Sequence, residues 1–105
     1  MEKLNQVPLE IENYCLAQST LPSALCSELA EYTRANVEMS VMLTGPLVGS
    51  FLSFLIKTIG ARTVLEIGCY TGYSALYMAE SLSESGRVIS LDVDPSVEKI
   101  AKKFG

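Results

Sequence analysis

The sequence predicts an α/β fold, the opening of a doubly wound parallel sheet with helices ahead of it. Three observations carry that prediction. Two short β-rich runs, Arg62–Ile67 and Arg87–Val93, flank a helical pattern. The connections on either side of that helix are short, so the two strands are expected side by side, parallel, with a right-handed crossover. The whole order reads helix, helix, helix, strand, helix, strand, helix. Parallel strands need cover on both faces, and two strands make a weak sheet. The expectation is therefore an incomplete fold, holding only the first β-α-β unit of a larger sheet.

Each element has its own local signal. Pro8 precedes a short helical pattern, Leu9, Ile11, Tyr14 and Cys15. Thr20-Leu-Pro-Ser opens a second helix, with Pro22 near the first turn, where a missing N–H costs little. Leu25, Leu29, Tyr32 and Asn36 form its expected inner face. Glu28 and Glu31 lie toward its N-terminal half and Arg34 toward its C-terminal end, as the helix dipole favours. Met39 is expected in the core. Thr44-Gly-Pro is a turn-and-cap signal, and Pro46 suits the start of a third helix. Leu47, Val48, Phe51, Leu52, Leu55 and Ile59 form its stripe; Phe54 and Ile56 widen it, which predicts burial on more than one side. Gly60 is its stop.

After the first β run, Thr71-Gly-Tyr-Ser opens a helix over Ser74–Leu82. Ala75, Leu76, Met78, Ala79 and Leu82 supply its packing, with Tyr73 and Tyr77 as further packing residues. Ser85-Gly86 is a turn. Asp94 then provides an N-cap and Pro95 a first helical position. Val97, Ile100, Ala101 and Phe104 make the apolar face of the last helix, and Lys99, Lys102 and Lys103 its solvated face. Residues 1–41 read as an N-terminal helical segment and 42–105 as the start of the ligand-binding α/β domain.

Composition excludes several classes of function. Lys and Arg total 8 against 12 Asp and Glu, a net charge of −4. Such a chain is a poor electrostatic partner for nucleic acid or anionic lipid. There is no histidine, so these residues hold no Ser-His-Asp or Cys-His machinery and no His-containing zinc site. Cys15, Cys26 and Cys69 show no C-x-x-C spacing; three unpaired thiols, and no leader pattern at the N-terminus, predict reduced cysteines in a cytoplasm. Each cysteine is expected to act as a small buried hydrophobe. Met39–Ile56 carries no charge, but Ser40, Thr44, Gly45, Pro46, Gly49, Ser50 and Ser53 interrupt it, which favours a core helix over a membrane span.

The chemistry-bearing stretch is Val64-Leu-Glu-Ile-Gly-Cys-Tyr-Thr-Gly-Tyr-Ser-Ala-Leu. A strand ends near Glu66 and Gly68, and Gly72 leads into a helix N-terminus. Glycine at 68 lets the backbone turn sharply and approach a ligand. The helix opening at Gly72 to Ser74 offers free N–H groups and a positive dipole end. Asp92, at the carboxyl end of the second strand, can accept hydrogen bonds from ribose hydroxyls, and ligands of open α/β sheets sit at that edge. The phosphate loop G-x-x-x-x-G-K-[ST] fails, because Tyr73 stands five after Gly68 and no lysine follows. The dinucleotide pattern G-x-G-x-x-G also fails: its second and third glycines would be Tyr70 and Tyr73, and a bulky Tyr70 would block a pyrophosphate. The spacing suits a ligand without phosphate. S-adenosylmethionine is one, and an acidic neighbour such as Glu66 can help hold its ammonium.

The segment Met42–Pro95 resembles the cation-dependent O-methyltransferases that include catechol and caffeoyl-CoA O-methyltransferases. Leu65-Glu-Ile-Gly-Cys-Tyr-Thr-Gly-Tyr-Ser-Ala-Leu is similar to their first motif and Gly86-Arg-Val-Ile-Ser-Leu-Asp-Val-Asp-Pro to their second. Ser50-Phe-Leu-Ser-Phe-Leu-Ile-Lys is similar to the helix ahead of the first strand. The resemblance implies a Rossmann-like methyltransferase fold. It places Met42 and Thr44 against S-adenosylmethionine and Glu66 at its methionine part, with Gly68 and Cys69 presenting backbone. It sets Tyr70 at the sulfonium, Ser74 on the methionine carboxylate, Asp92 on the ribose and Val93 beside the adenosine. It further implies a small, catechol-like hydroxyl acceptor and a divalent cation such as Mg²⁺ in the full-length enzyme. A homo-oligomer is also expected, and the acidic charge argues against a nucleic-acid or membrane partner. The family's metal ligands and general-base lysine lie further along than residue 105, so no metal-binding or catalytic residue is assigned and the chain alone is expected to be inactive. Two other readings stand beside this one: a non-catalytic module that self-associates through its exposed sheet edge, and, more distantly, a nicotinamide-binding unit.

Overall fold

The computed structural model describes residues 7–39 and 42–104. The elements follow the predicted order: α1 (Leu9–Gln18), α2 (Ala24–Asn36), α3 (Gly45–Ile59), β1 (Thr63–Ile67), α4 (Tyr73–Ser81), β2 (Arg87–Leu91) and α5 (Pro95–Phe104). The reading of Met1–Gln6 and the boundary drawn at residue 41 fall outside the described residues.

β1 and β2 pair in parallel, with Thr63 opposite Arg87 and Ile67 opposite Leu91. Backbone bonds extend the pairing at both ends: Arg87 N–H donates to the Arg62 carbonyl (2.9 Å) and Gly68 N–H to the Leu91 carbonyl (2.7 Å). The side chains alternate. Val64, Glu66, Val88 and Ser90 are half-buried, and Glu66 is bonded to Ser74 of α4, which identifies the helix-covered face. Leu65, Ile67, Ile89 and Leu91 stand exposed on the other.

The core sits where α2 crosses α4. Cys26, Leu29 and Ala30 pack on Tyr73 and Tyr77, with Leu43, Leu76, Ile100 and Phe104 against them. This core therefore joins the helical segment to the β-α-β unit. α3 reaches α4 so closely that a Cβ on buried Gly49 would lie 2.5 Å from the Tyr77 ring.

Several expectations are corrected. Pro22 lies two residues ahead of α2, and the N-cap is Ser23, its side chain accepting from Cys26 N–H. The buried face of α2 is Cys26, Leu29, Ala30 and Thr33, turned by about a residue from the predicted stripe, because Cys26 and Thr33 find polar partners inside while Leu25 stays exposed. α3 is not buried on more than one side: Gly49 and Ile56 are buried, whereas Val48, Phe51, Phe54, Leu55 and Ile59 are exposed. Its apolar width exceeds what α4 alone can cover. Met39 and Cys15 are exposed too, since α1 has no buried residue and Met39 sits outside the α2–α4 core. In α4, Tyr73 and Tyr77 carry the packing with Met78, while Ala79 is exposed. Lys103 is not simply solvated: its ammonium lies 4.6 Å above the Tyr32 ring, tying α5 to α2.

Candidate functional site

The turn from β1 into α4 leaves the sheet at the carboxyl end of the strands. Its backbone enters the left-handed region three times, at Gly68 (φ 89°), Tyr70 (φ 51°) and Gly72 (φ 91°). Gly72 is the position where glycine is obligatory twice over. Its φ disfavours a side chain, and a Cβ there would press on Ala101 of α5, 3.2 Å from its Cβ.

Asp92 organises this turn from the end of β2. Its Oδ2 accepts the N–H of Cys69 (2.8 Å) and of Tyr70 (2.9 Å), and its Oδ1 accepts the N–H of Asp94 (3.0 Å). The Asp94 N–H, then those of Tyr70 and Cys69, hold the Asp92 carboxyl below the usual carboxylate range. A carboxylate offers about four lone-pair sites, so this exposed group can still accept from a ligand. Asp94 is the α5 N-cap as predicted, its Oδ1 accepting from Ser96 N–H (2.9 Å) and the Ser96 hydroxyl (2.7 Å).

Beneath the turn, Glu66 takes the hydroxyl of Ser90 on one oxygen (2.9 Å) and that of Ser74 on the other. Glu66 and Ser90 are register partners on adjacent strands. The Ser74 hydroxyl is thus already committed to Glu66. The first N–H groups of α4 have no intrahelical acceptor, and Gly72 supplies no capping side chain. Above, the Tyr70 hydroxyl donates to the Glu38 carbonyl (2.7 Å). Burial pushes the Tyr70 phenol up, which keeps that donor protonated. Thr71 is fully buried against Thr33 of α2, the two hydroxyl oxygens 3.0 Å apart. The Cys69 thiol is pushed up first by burial and then by the Glu66 carboxylate.

A cleft of about 320 Å³ opens over the turn, lined by Met42, Gly68, Tyr70, Asp92, Asp94 and Val97. A larger one, about 410 Å³, lies between Thr20–Ser23, α3 and α4. The larger cleft touches no residue of the turn, and three of its hydroxyls are engaged within the protein: Ser81 bonds Ser53 (2.6 Å) and Ser23 bonds Glu80 (2.8 Å). The smaller cleft is the candidate site, because the turn and Asp92 line it.

The predicted residues thus divide. Met42, Gly68, Tyr70 and Asp92 line one cleft. Glu66 and Ser74 meet each other below it, and Cys69 contributes its backbone to Asp92. Thr44 and Val93 do not line the cleft; Thr44 precedes α3, and Val93 is 99% exposed. Sequence reading missed Ser90, Thr33 and Val97. Ser90 had a signal, a hydroxyl in an otherwise apolar Val-Ile-Ser-Leu run.

Among the described residues no group of three or more His, Cys, Asp or Glu side chains could hold a metal ion. No helix among them is long and apolar enough to cross a membrane.

Fold and turn together define a Rossmann-like α/β unit with its ligand edge at the carboxyl ends of β1 and β2. Residues 17–105 match the O-methyltransferase family, and the chain belongs to that family. A probable caffeoyl-CoA O-methyltransferase of Dictyostelium discoideum is 34% identical over 94 residues, 90% of this chain and 41% of that protein. Among solved structures, the O-methyltransferase from Bacillus cereus in complex with S-adenosylhomocysteine superposes with TM-score 0.78 at 29% identity, covering 90% of this chain and 43% of that one. A methyltransferase of Podospora anserina shares the fold at TM-score 0.85 and 24% identity, over 99% of this chain and 47% of that one. The chain therefore spans less than half the length of these relatives. These likenesses do not favour the self-associating module.

Proposed function

We propose that the turn after β1 holds S-adenosylmethionine, and that the protein serves methyl transfer to a hydroxyl of a small, catechol-like aromatic acceptor. One observation carries this reading. Asp92 fixes the turn through Cys69 and Tyr70 N–H while keeping exposed acceptor capacity beside the uncapped N-terminus of α4. A ligand with neighbouring hydroxyls at one end and a carboxylate at the other fits that pair of groups. The nucleoside hydroxyls would go to Asp92 and the methionine carboxylate to the free N–H groups around Ser74. Glu66 would face the ammonium, and Tyr70 and Met42 would flank the sulfonium. Thr44 and Val93 belong to this reading only through the family resemblance. When bound, the cofactor would supply an electrophilic methyl group on its sulfonium; forming the O–CH3 bond would break the S–CH3 bond, release S-adenosylhomocysteine and lose the acceptor's hydroxyl proton to solvent.

The divalent cation implied by the resemblance finds no ligand set among the described residues, so no step is derived through it. Accordingly, cofactor binding is expected of this chain and turnover is not. The exposed apolar residues of the sheet, Leu65, Ile67, Ile89 and Leu91, support a homo-oligomer, and the three free thiols support a cytoplasmic setting. Residues 1–41 are read as the helical segment and 42–105 as the start of the cofactor domain.

The test is a calorimetric titration with S-adenosylhomocysteine, paired with mass spectrometry of a catechol incubated with protein, S-adenosylmethionine and Mg²⁺. Saturable binding without a methyl ether is expected. Absence of binding would overturn the cofactor reading; a methyl ether formed by the chain alone would overturn its assignment as inactive.

A further inference from the structure

We infer that α2 and the turn just after it set the conformation of the cofactor turn, with Thr33 of α2 as the positioning residue and the Glu38 carbonyl, two residues past the end of α2, as a second anchor. This rests on the reading of the turn as the cofactor site. Tyr70 holds a left-handed backbone without being glycine, φ 51°. Such a residue persists where its surroundings over-determine it. One of the groups that do so, the Asp92 Oδ2 that accepts both the Cys69 and the Tyr70 N–H, belongs to the β-α-β unit. Two others come from outside it. The Glu38 carbonyl takes the Tyr70 hydroxyl at 2.7 Å, and Thr33 meets Thr71 at 3.0 Å.

The Thr33–Thr71 pair is the informative one. Both residues are 0% exposed, beside the apolar core of Leu29 and Cys26. Neither hydroxyl can turn to water. Thr33 has an alternative partner in its own helix, the Leu29 carbonyl at 2.7 Å. Thr71 depends on Thr33. Valine at 33 would fill nearly the same volume and leave the Thr71 hydroxyl buried and unpaired. The turn must then rotate to satisfy it, carrying the Tyr70 and Cys69 N–H groups away from Asp92. A buried hydroxyl pair of this kind admits few relative placements of α2 and the turn. The helical segment thereby acts on cofactor affinity without lining the cleft.

The experiment compares the full chain with Thr33→Val, Thr33→Ser, Tyr70→Phe and Ile56→Val. Each is titrated with S-adenosylhomocysteine, and hydrogen exchange is followed at the Cys69 and Tyr70 amides. Thr33→Val is expected to weaken binding roughly tenfold and to speed exchange at both amides. Thr33→Ser keeps the hydroxyl and should stay within about twofold of the parent. Tyr70→Phe removes the other anchor and should weaken binding about fivefold. Ile56→Val costs comparable stability away from the turn and should leave binding unchanged. Parent-like exchange and binding in Thr33→Val would overturn the proposal, as would a Thr33→Ser variant as impaired as Thr33→Val. If Thr33→Val does not fold, the serine and Tyr70→Phe variants decide by the same criteria. If the parent binds no S-adenosylhomocysteine, the cofactor reading fails, and amide exchange alone still decides the role of α2.

Discussion

Gly49→Ala sets two effects of opposite sign against each other. In an isolated helix alanine is worth about 1 kcal/mol more than glycine. Gly49, however, faces the Tyr77 ring across the α3–α4 contact. An added Cβ would lie 2.5, 2.7 and 2.8 Å from three ring carbons, where ordinary carbon contacts are about 3.5–4.0 Å. The helices must part by roughly an ångström, or the ring must move. The ring is poorly placed to move: Tyr77 is 8% exposed and its centroid is 5.7 Å from that of Tyr73, itself buried against α2. Overpacking typically costs about 1–3 kcal/mol, and contact with three atoms of a held ring belongs at the upper end. The net expectation is a loss of about 2 kcal/mol, or a fall of about 8–16 °C in midpoint at ~4–8 °C per kcal/mol. Thermal unfolding followed by far-ultraviolet circular dichroism measures it. In a Tyr77→Ala background the clash is gone, and Gly49→Ala should become neutral or stabilising by up to about 1 kcal/mol. An unchanged or raised midpoint in the native background would refute the packing argument.

Three further predictions concern the site and the thiols. Ser90→Ala removes a donor to a carboxylate and should cost about 1–2 kcal/mol in urea unfolding; a change below a few tenths would show that Ser90 does not support Glu66. Asp92 has its carboxyl depressed in the folded state, so its contribution to the turn is present above the ordinary Asp pKa of about 3.9 and lost as pH falls through the lower folded value. Protection of the Cys69 and Tyr70 amides should accordingly survive to below about pH 4, and its loss near pH 5 would contradict the assignment. Alkylation at mildly alkaline pH should modify exposed Cys15 first. Cys26 is buried, with its thiol pushed up to about 11 chiefly by burial, and should react only on unfolding; mass spectrometry of partly labelled protein distinguishes the two.

The β-α-β unit was legible because its signals are local. Short β-rich runs, a proline after Asp94 and glycines at 68 and 72 each dictate backbone within a few residues, and β1, β2 and α5 formed where they pointed. The face of α2 was not legible, because Cys26 and Thr33 turn inward for partners 54 and 38 residues away, Glu80 and Thr71. Helical spacing ranks apolar residues and carries no information about such pairs. Gly49 was passed over for the same reason: its constraint is the Tyr77 ring on another helix. The exposure of Phe51, Phe54 and Ile59 could not be read either, since an apolar stripe states a capacity for burial and not which surface meets it. At the candidate site, Asp92 and Gly68 could be singled out by their places at strand ends, while the Glu66–Ser90 contact required the register of the finished sheet.

The central claim is that the turn anchored by Asp92 binds S-adenosylmethionine. Its most direct test is the unfolding midpoint of the chain with and without the cofactor, in the parent and in Asp92→Ala. A ligand at about a hundred times its dissociation constant adds roughly 2.7 kcal/mol of stability. A cooperative transition that rises with cofactor in the parent, and does not rise in Asp92→Ala, is the predicted result. A parent transition that stays in place at saturating cofactor, or an equal rise in both proteins, would contradict it.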